Sequence, residues 1–297
     1  MNKIGLHWGY WRGTELENDW TGIMDALVKA DIDVFEIGPQ AVLPWSRAQR
    51  ETFKKALADR GLIINFNGGL THETDIASDD PAVRRAGIEY SKRVLDVVAQ
   101  MGGINWSGIN YSQWLRHPGR ITSSDRQYYF DLSVDAMRKI IGTAEDLGVV
   151  YGYEVVTRFD QFIFNTAQEA VAYCQAVDSD NAQLHLDTWH MNVEEDSMAD
   201  AIACAAYHGR LSHMHVCENN RRVPGLIRGN INWPEIFGAL KQAGYRGYLT
   251  MEPFVIMGAT NSHMLGIWRN LGPTDLDTMI ENVRLGAEFL RRGMAQA

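Results

Sequence analysis

The chain has 297 residues and a mass of 33.5 kDa, and 28 basic against 37 acidic side chains leave a formal net charge of −9. This length supports a sizeable core, and 45% hydrophobic with 22% charged residues excludes disorder as the main state. The acidic balance argues against general nucleic-acid binding, which needs a basic surface. No apolar run approaches the ~20 residues of a membrane helix, and the N-terminal segment lacks the apolar stretch of a signal peptide.

The cysteine content indicates the compartment. Cys174, Cys204 and Cys217 are an odd number and form no CxxC pair, which argues against a disulfide framework and against a thiolate zinc site. We therefore expect a protein of the reducing cytoplasm that has no nucleic-acid partner and no membrane partner.

Short β-rich runs alternate with segments of helical spacing along the whole chain. The predicted strands lie at 3–8, 33–37, 62–66, 104–110, 149–155, 182–187, 210–216 and 247–252. The predicted helices lie at 18–30, 46–60, 81–101, 125–147, 166–178, 197–207, 234–243 and 275–293. Eight such pairs are the count of a (β/α)₈ barrel, and HWGYWRGTE after the first strand lacks the GxGxxG of the rival doubly wound sheet. We predict a single TIM-barrel domain over residues 1–297.

Two connections are longer than barrel loops usually are. Residues 111–124 follow the fourth strand and residues 253–274 follow the eighth, so both belong to the catalytic face of a barrel. Variable surface decoration is the alternative. Trp114 and Trp268, one in each loop, favour contact with a partner surface instead.

Side chains of metal-ligand type stand at or near the ends of the last four predicted strands: Glu154, Asp187, His215 and Glu252. Because strand ends converge at the mouth of a barrel, neighbouring strands could direct these groups at one point. Three carboxylates and one imidazole suit Mn²⁺ or Mg²⁺, with Co²⁺ as a further candidate, better than a structural zinc. The alternative is that each acid caps a helix or pairs with an arginine, but four in register favour a metal.

The surrounding segments are distinctive. They read YEVVTRFDQFIFNTAQEA at 153–170, LDTWHMNVEED at 186–196, HMHVCENNRRVPG at 213–225, YLTMEPF at 248–254 and GIWRN at 266–270. Together with Tyr10-Trp11 near the start, they closely resemble the D-tagatose 3-epimerase and D-psicose 3-epimerase family of ketose 3-epimerases. The resemblance runs over nearly the whole chain.

The resemblance implies a xylose-isomerase-like TIM barrel, a homodimer or homotetramer, and a single divalent metal ion with no organic cofactor. Mn²⁺ is the expected metal, with Co²⁺ or Mg²⁺ as alternatives. The implied metal ligands are Glu154, Asp187, His215 and Glu252. Glu154 and Glu252 would also be the acid/base pair that removes the C3 proton from one face and returns it to the other. A metal on the C2 carbonyl and C3 hydroxyl oxygens would stabilise the enediolate.

The expected substrate-binding residues are His190, Arg221, Asp160, Trp114, Asn67 and His7. His190 and Arg221 would hold the carbonyl and the C1 hydroxyl. The family motif EVVNRFE reads EVVTRFD here, so Asp160 replaces a substrate-binding Glu and Thr157 replaces an Asn. His7 stands where family members often have an aromatic residue, and Asn67 where a small residue or Cys is expected. We therefore expect the preferred ketose to differ from tagatose or psicose.

The predicted function is metal-dependent epimerisation of a free ketose at C3. An aldose–ketose isomerase that shifts a proton between C1 and C2 is one alternative. A lyase acting on a 3-keto sugar or glycoside at the same metal site is another, since the same base could act beside any carbonyl. A non-catalytic sugar-binding barrel is the third, although it would be expected to have a broken carboxylate set.

Overall fold

The computed structural model describes residues 2–297, in which one or two α-helices separate each strand from the next. The strands are β1 (Ile4–His7), β2 (Val34–Ile37), β3 (Ile63–Asn67), β4 (Asn105–Gly108), β5 (Val150–Glu154), β6 (Ala182–Asp187), β7 (Leu211–Val216) and β8 (Leu249–Met251). The helices are α1 (Trp20–Lys29), α2 (Arg47–Ala58), α3 (Pro81–Gln100), α4 (Ser123–Met137), α5 (Ile141–Leu147), α6 (Ala167–Val177), α7 (Thr188–Glu194), α8 (Met198–Tyr207), α9 (Trp233–Gln242) and α10 (Leu276–Gln296). None of these helices is long and apolar enough to cross a membrane.

The eight strands form a closed barrel in chain order, with parallel pairing. Gly5 of β1 is in register with Val34 of β2 on one side and with Thr250 of β8 on the other, which closes the sheet. The (β/α)₈ prediction is therefore confirmed. In this architecture the carboxyl ends of the strands surround the mouth where active sites are built.

Local sequence explains where the helices begin and end. Asp80 caps α3 by accepting the Ala82 N–H at 2.7 Å, and Pro81 occupies the first helical position, where it needs no N–H partner. Gly148 ends α5 in the left-handed region at φ +64°, a conformation that costs glycine little. The chain then enters β5 directly, so this cap sets where β5 starts.

Two helical features differ from the prediction. The single helix predicted over 125–147 is interrupted after Met137, because Ile140 donates to the Met137 carbonyl at 2.8 Å and closes a tighter, three-residue turn. Helix α7 was not predicted. It begins at once after β6, with Asp187 as its N-cap, and a seven-residue helix at a strand end has too little periodicity to show in the sequence.

Contacts along the chain group into two compact units. The first comprises the chain up to Ile37, Trp45–Asn65 and Met214–Ala297, and the second comprises Gly38–Pro44 and Phe66–His213. The first contains β1, β2 and β8, whereas the second contains β4, β5 and β6. That the whole chain is one domain stays a prediction.

An aromatic cluster in the second unit fixes the end of β5. Tyr111 stacks on Phe164 with 4.1 Å between ring centroids, and its hydroxyl donates to the backbone carbonyl of Glu154 at 3.1 Å. Ser133 Oγ lies 2.5 Å from the Tyr111 carbonyl, to which it donates, and 2.6 Å from the Tyr173 hydroxyl. All these groups are buried, so they hold Tyr111, near the start of the loop after β4, against the strand that carries Glu154.

Candidate active site

Two of the predicted ligands lie at strand ends of the second unit. Glu154 ends β5 and Asp187 ends β6, and both side chains are buried. Asn67, the last residue of β3, donates from Nδ2 to Glu154 Oε2 at 3.4 Å. Asp187 Oδ1 accepts the Trp189 N–H at 2.7 Å as the N-cap of α7. That bond fixes the orientation of the Asp187 carboxylate.

The same short helix carries His190, which is buried beside these carboxylates. Its Nδ1 accepts the Thr157 N–H at 3.1 Å, so the neutral ring carries its proton on Nε2. His190 Nε2 lies 3.7 Å from Glu154 Oε1 and 4.0 Å from Asp187 Oδ2. The backbone of the loop after β5 therefore presents His190 as a hydrogen-bond donor on the side of the two acids.

Asp160 and Trp114 join the loops that follow β5 and β4. Asp160 Oδ2 accepts from the Thr157 hydroxyl at 2.6 Å, and Oδ1 accepts from Trp114 Nε1 at 3.3 Å. The Leu115 N–H adds a bond to the Asp160 carbonyl at 3.0 Å. Both carboxylate oxygens of Asp160 thus have partners within the protein, and the indole of Trp114 is held in a defined position.

The other two predicted ligands lie in the first unit. His215 of β7 is fully buried, with Nδ1 3.4 Å from Glu252 Oε2 and Nε2 2.5 Å from Glu36 Oε1. Burial lowers the pKa of His215, but the carboxylates of Glu252 and Glu36 outweigh burial and raise it well above the usual range for histidine. Negative charge therefore dominates around this ring, and such an environment favours a cation.

Arg221 and His7 flank Glu252. Arg221 Nη1 donates to Glu252 Oε2 at 2.7 Å, and the Arg221 backbone adopts φ +61°, a left-handed conformation that costs energy for a side chain other than glycine. His7 Nδ1 lies 3.9 Å from Glu252 Oε1 and accepts the Gly9 N–H at 3.2 Å. Burial lowers the pKa of His7 to about 4, despite Glu252 and Glu36, so this ring is neutral at physiological pH.

The structure contains a potential metal-binding cluster. The four predicted ligands, Glu154, Asp187, His215 and Glu252, can each offer one atom, and these atoms all lie within 4.8 Å of one another. All four residues are buried, and three carboxylates buried together repel one another unless a cation or protons compensate them. Hard oxygen donors with one imidazole are a donor set for a divalent ion such as Mn²⁺, Mg²⁺ or Co²⁺. The residues present therefore fit the metal that the sequence predicts.

Glu36 and Asn65 were not among the predicted site residues. Glu36 is fully buried in β2, and its Oε2 accepts from Asn65 Nδ2 of β3 at 2.5 Å. One signal was present in the sequence: a carboxylate stands in the otherwise apolar run VFEI, and an acid inside a buried parallel strand needs a polar partner. The sequence could not show that this partner is His215, which lies 179 residues away.

Comparison with known proteins agrees with this architecture. The family model for xylose isomerase-like TIM barrels matches residues 24–289. A D-psicose 3-epimerase of Agrobacterium fabrum is 34% identical over 97% of this chain and 98% of its own length. An L-ribulose 3-epimerase of Methylomonas sp. strain DH-1 is 35% identical, with 91% of each chain covered.

A solved structure shows a similarity to the same group of enzymes. The D-psicose 3-epimerase of Clostridium cellulolyticum H10, crystallised with D-tagatose, superposes with a TM-score of 0.92 at 32% identity and covers 98% of this chain and 99% of its own. The fold and site thus define a xylose isomerase-like TIM barrel. Within that class, the chain belongs to the ketose 3-epimerases, a family of carbohydrate isomerases. The resemblance read from the sequence is confirmed.

Proposed function

We propose that this protein epimerises a free ketose at C3 in a metal-dependent reaction that passes through an enediolate. The observation that carries the proposal is the buried cluster of three carboxylates and one imidazole in a barrel of the ketose 3-epimerase family. A non-catalytic sugar-binding barrel would have no need to keep such a mutually repulsive set together.

Glu154 and Glu252 act as the acid/base pair in this proposal. Epimerisation removes a proton from one face of C3 and returns one to the other face, so it needs two proton-transfer groups. The divalent cation held by Glu154, Asp187, His215 and Glu252 supplies Lewis-acid stabilisation of the negative charge that develops on the substrate oxygens. The two glutamates move the proton, with one ionised and the other protonated at the start of each turnover.

His190 and Arg221 orient the sugar. The Thr157 N–H fixes the proton of His190 on Nε2, which makes the ring a donor for a sugar oxygen. Arg221 carries a guanidinium already aligned with Glu252, and further N–H groups of that guanidinium bind the polar end of the substrate. Holding the sugar in this way brings C3, rather than C1, to the two glutamates.

The remaining substrate contacts are assigned to Asp160, Trp114, Asn67 and His7. Asn67 donates to Glu154, and His7 lies within 4 Å of Glu252, so contact with these two proposed acid/base groups supports a role for both residues beside the reacting carbon. Asp160 is shorter by one methylene than the family's glutamate and is engaged with Thr157 and Trp114. We therefore assign the choice among ketoses to this part of the site.

The native metal in this proposal is Mn²⁺, with Co²⁺ or Mg²⁺ as alternatives. The hard donor set supports all three over a structural zinc. Assembly as a homodimer or homotetramer and a cytoplasmic location remain predictions from the sequence.

The test is proton exchange in D₂O. Protein loaded with Mn²⁺ is incubated with fructose, tagatose, psicose, sorbose, ribulose and xylulose, and products are followed by NMR. Deuterium at C3 together with the C3 epimer is the expected result. Deuterium at C1 or C2 with an aldose product would assign the protein to aldose–ketose isomerases, and no exchange despite bound metal would overturn C3 epimerisation of a free ketose.

Variants of the two glutamates test which side chains transfer the proton. Glu154→Gln and Glu252→Gln should each lower kcat by at least about 100-fold, since each removes one proton-transfer group. Glu145→Gln is the control: Glu145 lies in α5, ahead of β5, where it accepts from Ser179 Oγ. It should leave kcat unchanged. Equal activity of all three variants would refute the assignment of the acid/base pair.

A further inference from the structure

A fully buried carboxylate of β2 lies against the predicted imidazole ligand. Glu36 is 0% exposed, and its Oε1 lies 2.5 Å from His215 Nε2. Burying a carboxylate is costly unless fixed donors compensate its lost hydration. Glu36 is buried despite this cost, and it contacts the imidazole of His215, a predicted metal ligand. This combination indicates a role at the metal site.

Asn65 restrains the same carboxylate from its other oxygen. Asn65 Nδ2 donates to Glu36 Oε2 at 2.5 Å, while His215 Nε2 faces Oε1. With one donor on each oxygen, the plane of the carboxylate is defined. Asn65 and Glu36 belong to neighbouring strands, so rigid elements rather than a loop carry this arrangement.

The contact decides which nitrogen of His215 can bind a cation. A carboxylate only accepts hydrogen bonds, so the ring must donate from Nε2 to Glu36. When the ring gives up one proton to act as a ligand, it keeps the Nε2 proton on Glu36, so the lone pair is on Nδ1, the nitrogen that lies 3.4 Å from Glu252 Oε2. Glu252 is another predicted ligand, so the lone pair faces the cluster.

We propose that Glu36 is a positioning residue for the metal site: it fixes the tautomer and ring orientation of His215 and strengthens Nδ1 as a donor, with Asn65 holding Glu36 in place. The inference rests on the proposed metal-dependent function. Metal-binding histidines commonly donate their second N–H to a carboxylate, and loss of that partner weakens metal binding by about 10- to 100-fold. Glu36 itself contacts neither metal nor substrate in this assignment.

The first test is metal affinity of Glu36→Gln, measured by calorimetric titration with Mn²⁺. A glutamine can turn its NH₂ towards His215 Nε2, which would move the ring proton to Nδ1 and block the ligand position. The Kd for Mn²⁺ should rise by at least about tenfold. At saturating Mn²⁺, the KM for the sugar should stay within about twofold of the wild-type value, because Glu36 does not bind the substrate.

Glu218→Gln is the matched control. Glu218 is also a buried carboxylate of the first unit, and its Oε1 accepts from Trp233 Nε1 at 3.0 Å and from the Gly225 N–H at 2.8 Å. Its variant should keep the wild-type Kd for Mn²⁺. Equal weakening in both variants would assign the effect to general destabilisation and overturn the proposal for Glu36.

A second measurement needs no variant at position 36. In ¹⁵N-histidine-labelled protein loaded with diamagnetic Mg²⁺, the His215 signals should show a protonated Nε2 and an unprotonated Nδ1. A proton on Nδ1 would overturn the proposal. Wild-type protein that binds no Mn²⁺ at all would instead refute the proposed metal-dependent function, whereas wild-type binding with an unchanged Kd in Glu36→Gln would refute only the role of Glu36.

Discussion

Replacing Asp75 by alanine tests whether one buried carboxylate holds the long loop after β4. Asp75 is 2% exposed, and its Oδ1 accepts from the Ala77 N–H at 2.9 Å and from Ser112 Oγ and the Gln113 N–H, both at 3.1 Å. Its Oδ2 accepts from Arg116 Nη1 at 2.8 Å. Three of these four donors lie in the loop that begins after β4, so Asp75 ties that loop to the segment after β3.

The expected loss of stability in Asp75→Ala follows from the number and burial of these hydrogen bonds. Removing one partner of a buried ion pair costs about 3–5 kcal/mol, because the remaining buried groups lose their compensation. The unfolding entropy of a chain of 297 residues is about 0.6 kcal/mol per kelvin at the midpoint. Asp75→Ala should therefore lower the Tm by about 5–8 °C. It should also raise the KM for the sugar, since the loosened loop carries Trp114.

Differential scanning calorimetry and initial-rate kinetics check both effects. The control is Asp79→Ala, because Asp79 is exposed and lies 3.7 Å from Nη2 of the same Arg116. An exposed pair contributes about 0–1 kcal/mol, so this variant should shift the Tm by less than about 2 °C. A Tm change for Asp75→Ala no larger than that of the control would refute the argument that Asp75 anchors the loop.

Three further predictions concern specificity, thiol chemistry and packing. Asp160→Glu should change the ranking of ketoses by kcat/KM, and an unchanged ranking would count against a specificity role. Burial raises the pKa of the Cys174 thiol to about 12, so native protein at pH 8.5 should show no alkylation of Cys174 by mass spectrometry, whereas protein in urea should react. The free energy of unfolding should therefore fall with pH. Above pH 9.0 the unfolded chain releases the Cys174 proton, whereas the folded chain keeps it, so the fold loses stability as the pH rises further. Ser133→Ala should cost about 1–3 kcal/mol in urea unfolding, since the Tyr111 carbonyl and the Tyr173 hydroxyl lose a buried partner. A loss below about 0.5 kcal/mol would show that these groups find other partners.

Much of the fold could be predicted because its signals are local. Each predicted strand overlaps an observed one, and Asp80-Pro81 and Gly148 mark helix ends as their backbone chemistry requires. The break after Met137 and the short helix α7 could not be predicted. In both cases tight turns and a single side-chain cap decide the outcome, and neither alters the apolar pattern on which the prediction depends.

The candidate site, like the fold, could be predicted only in part from the sequence. The order of the strands and the residues at their ends were enough to predict Glu154, Asp187, His215 and Glu252 as one cluster, because a barrel brings the carboxyl ends of its strands together. The contact of Glu36 with His215 and the two bonds that occupy Asp160 were decided only by the tertiary structure. A hydrogen bond depends on distances of a few tenths of an ångström between groups far apart in the chain, and no pattern along the sequence carries that information.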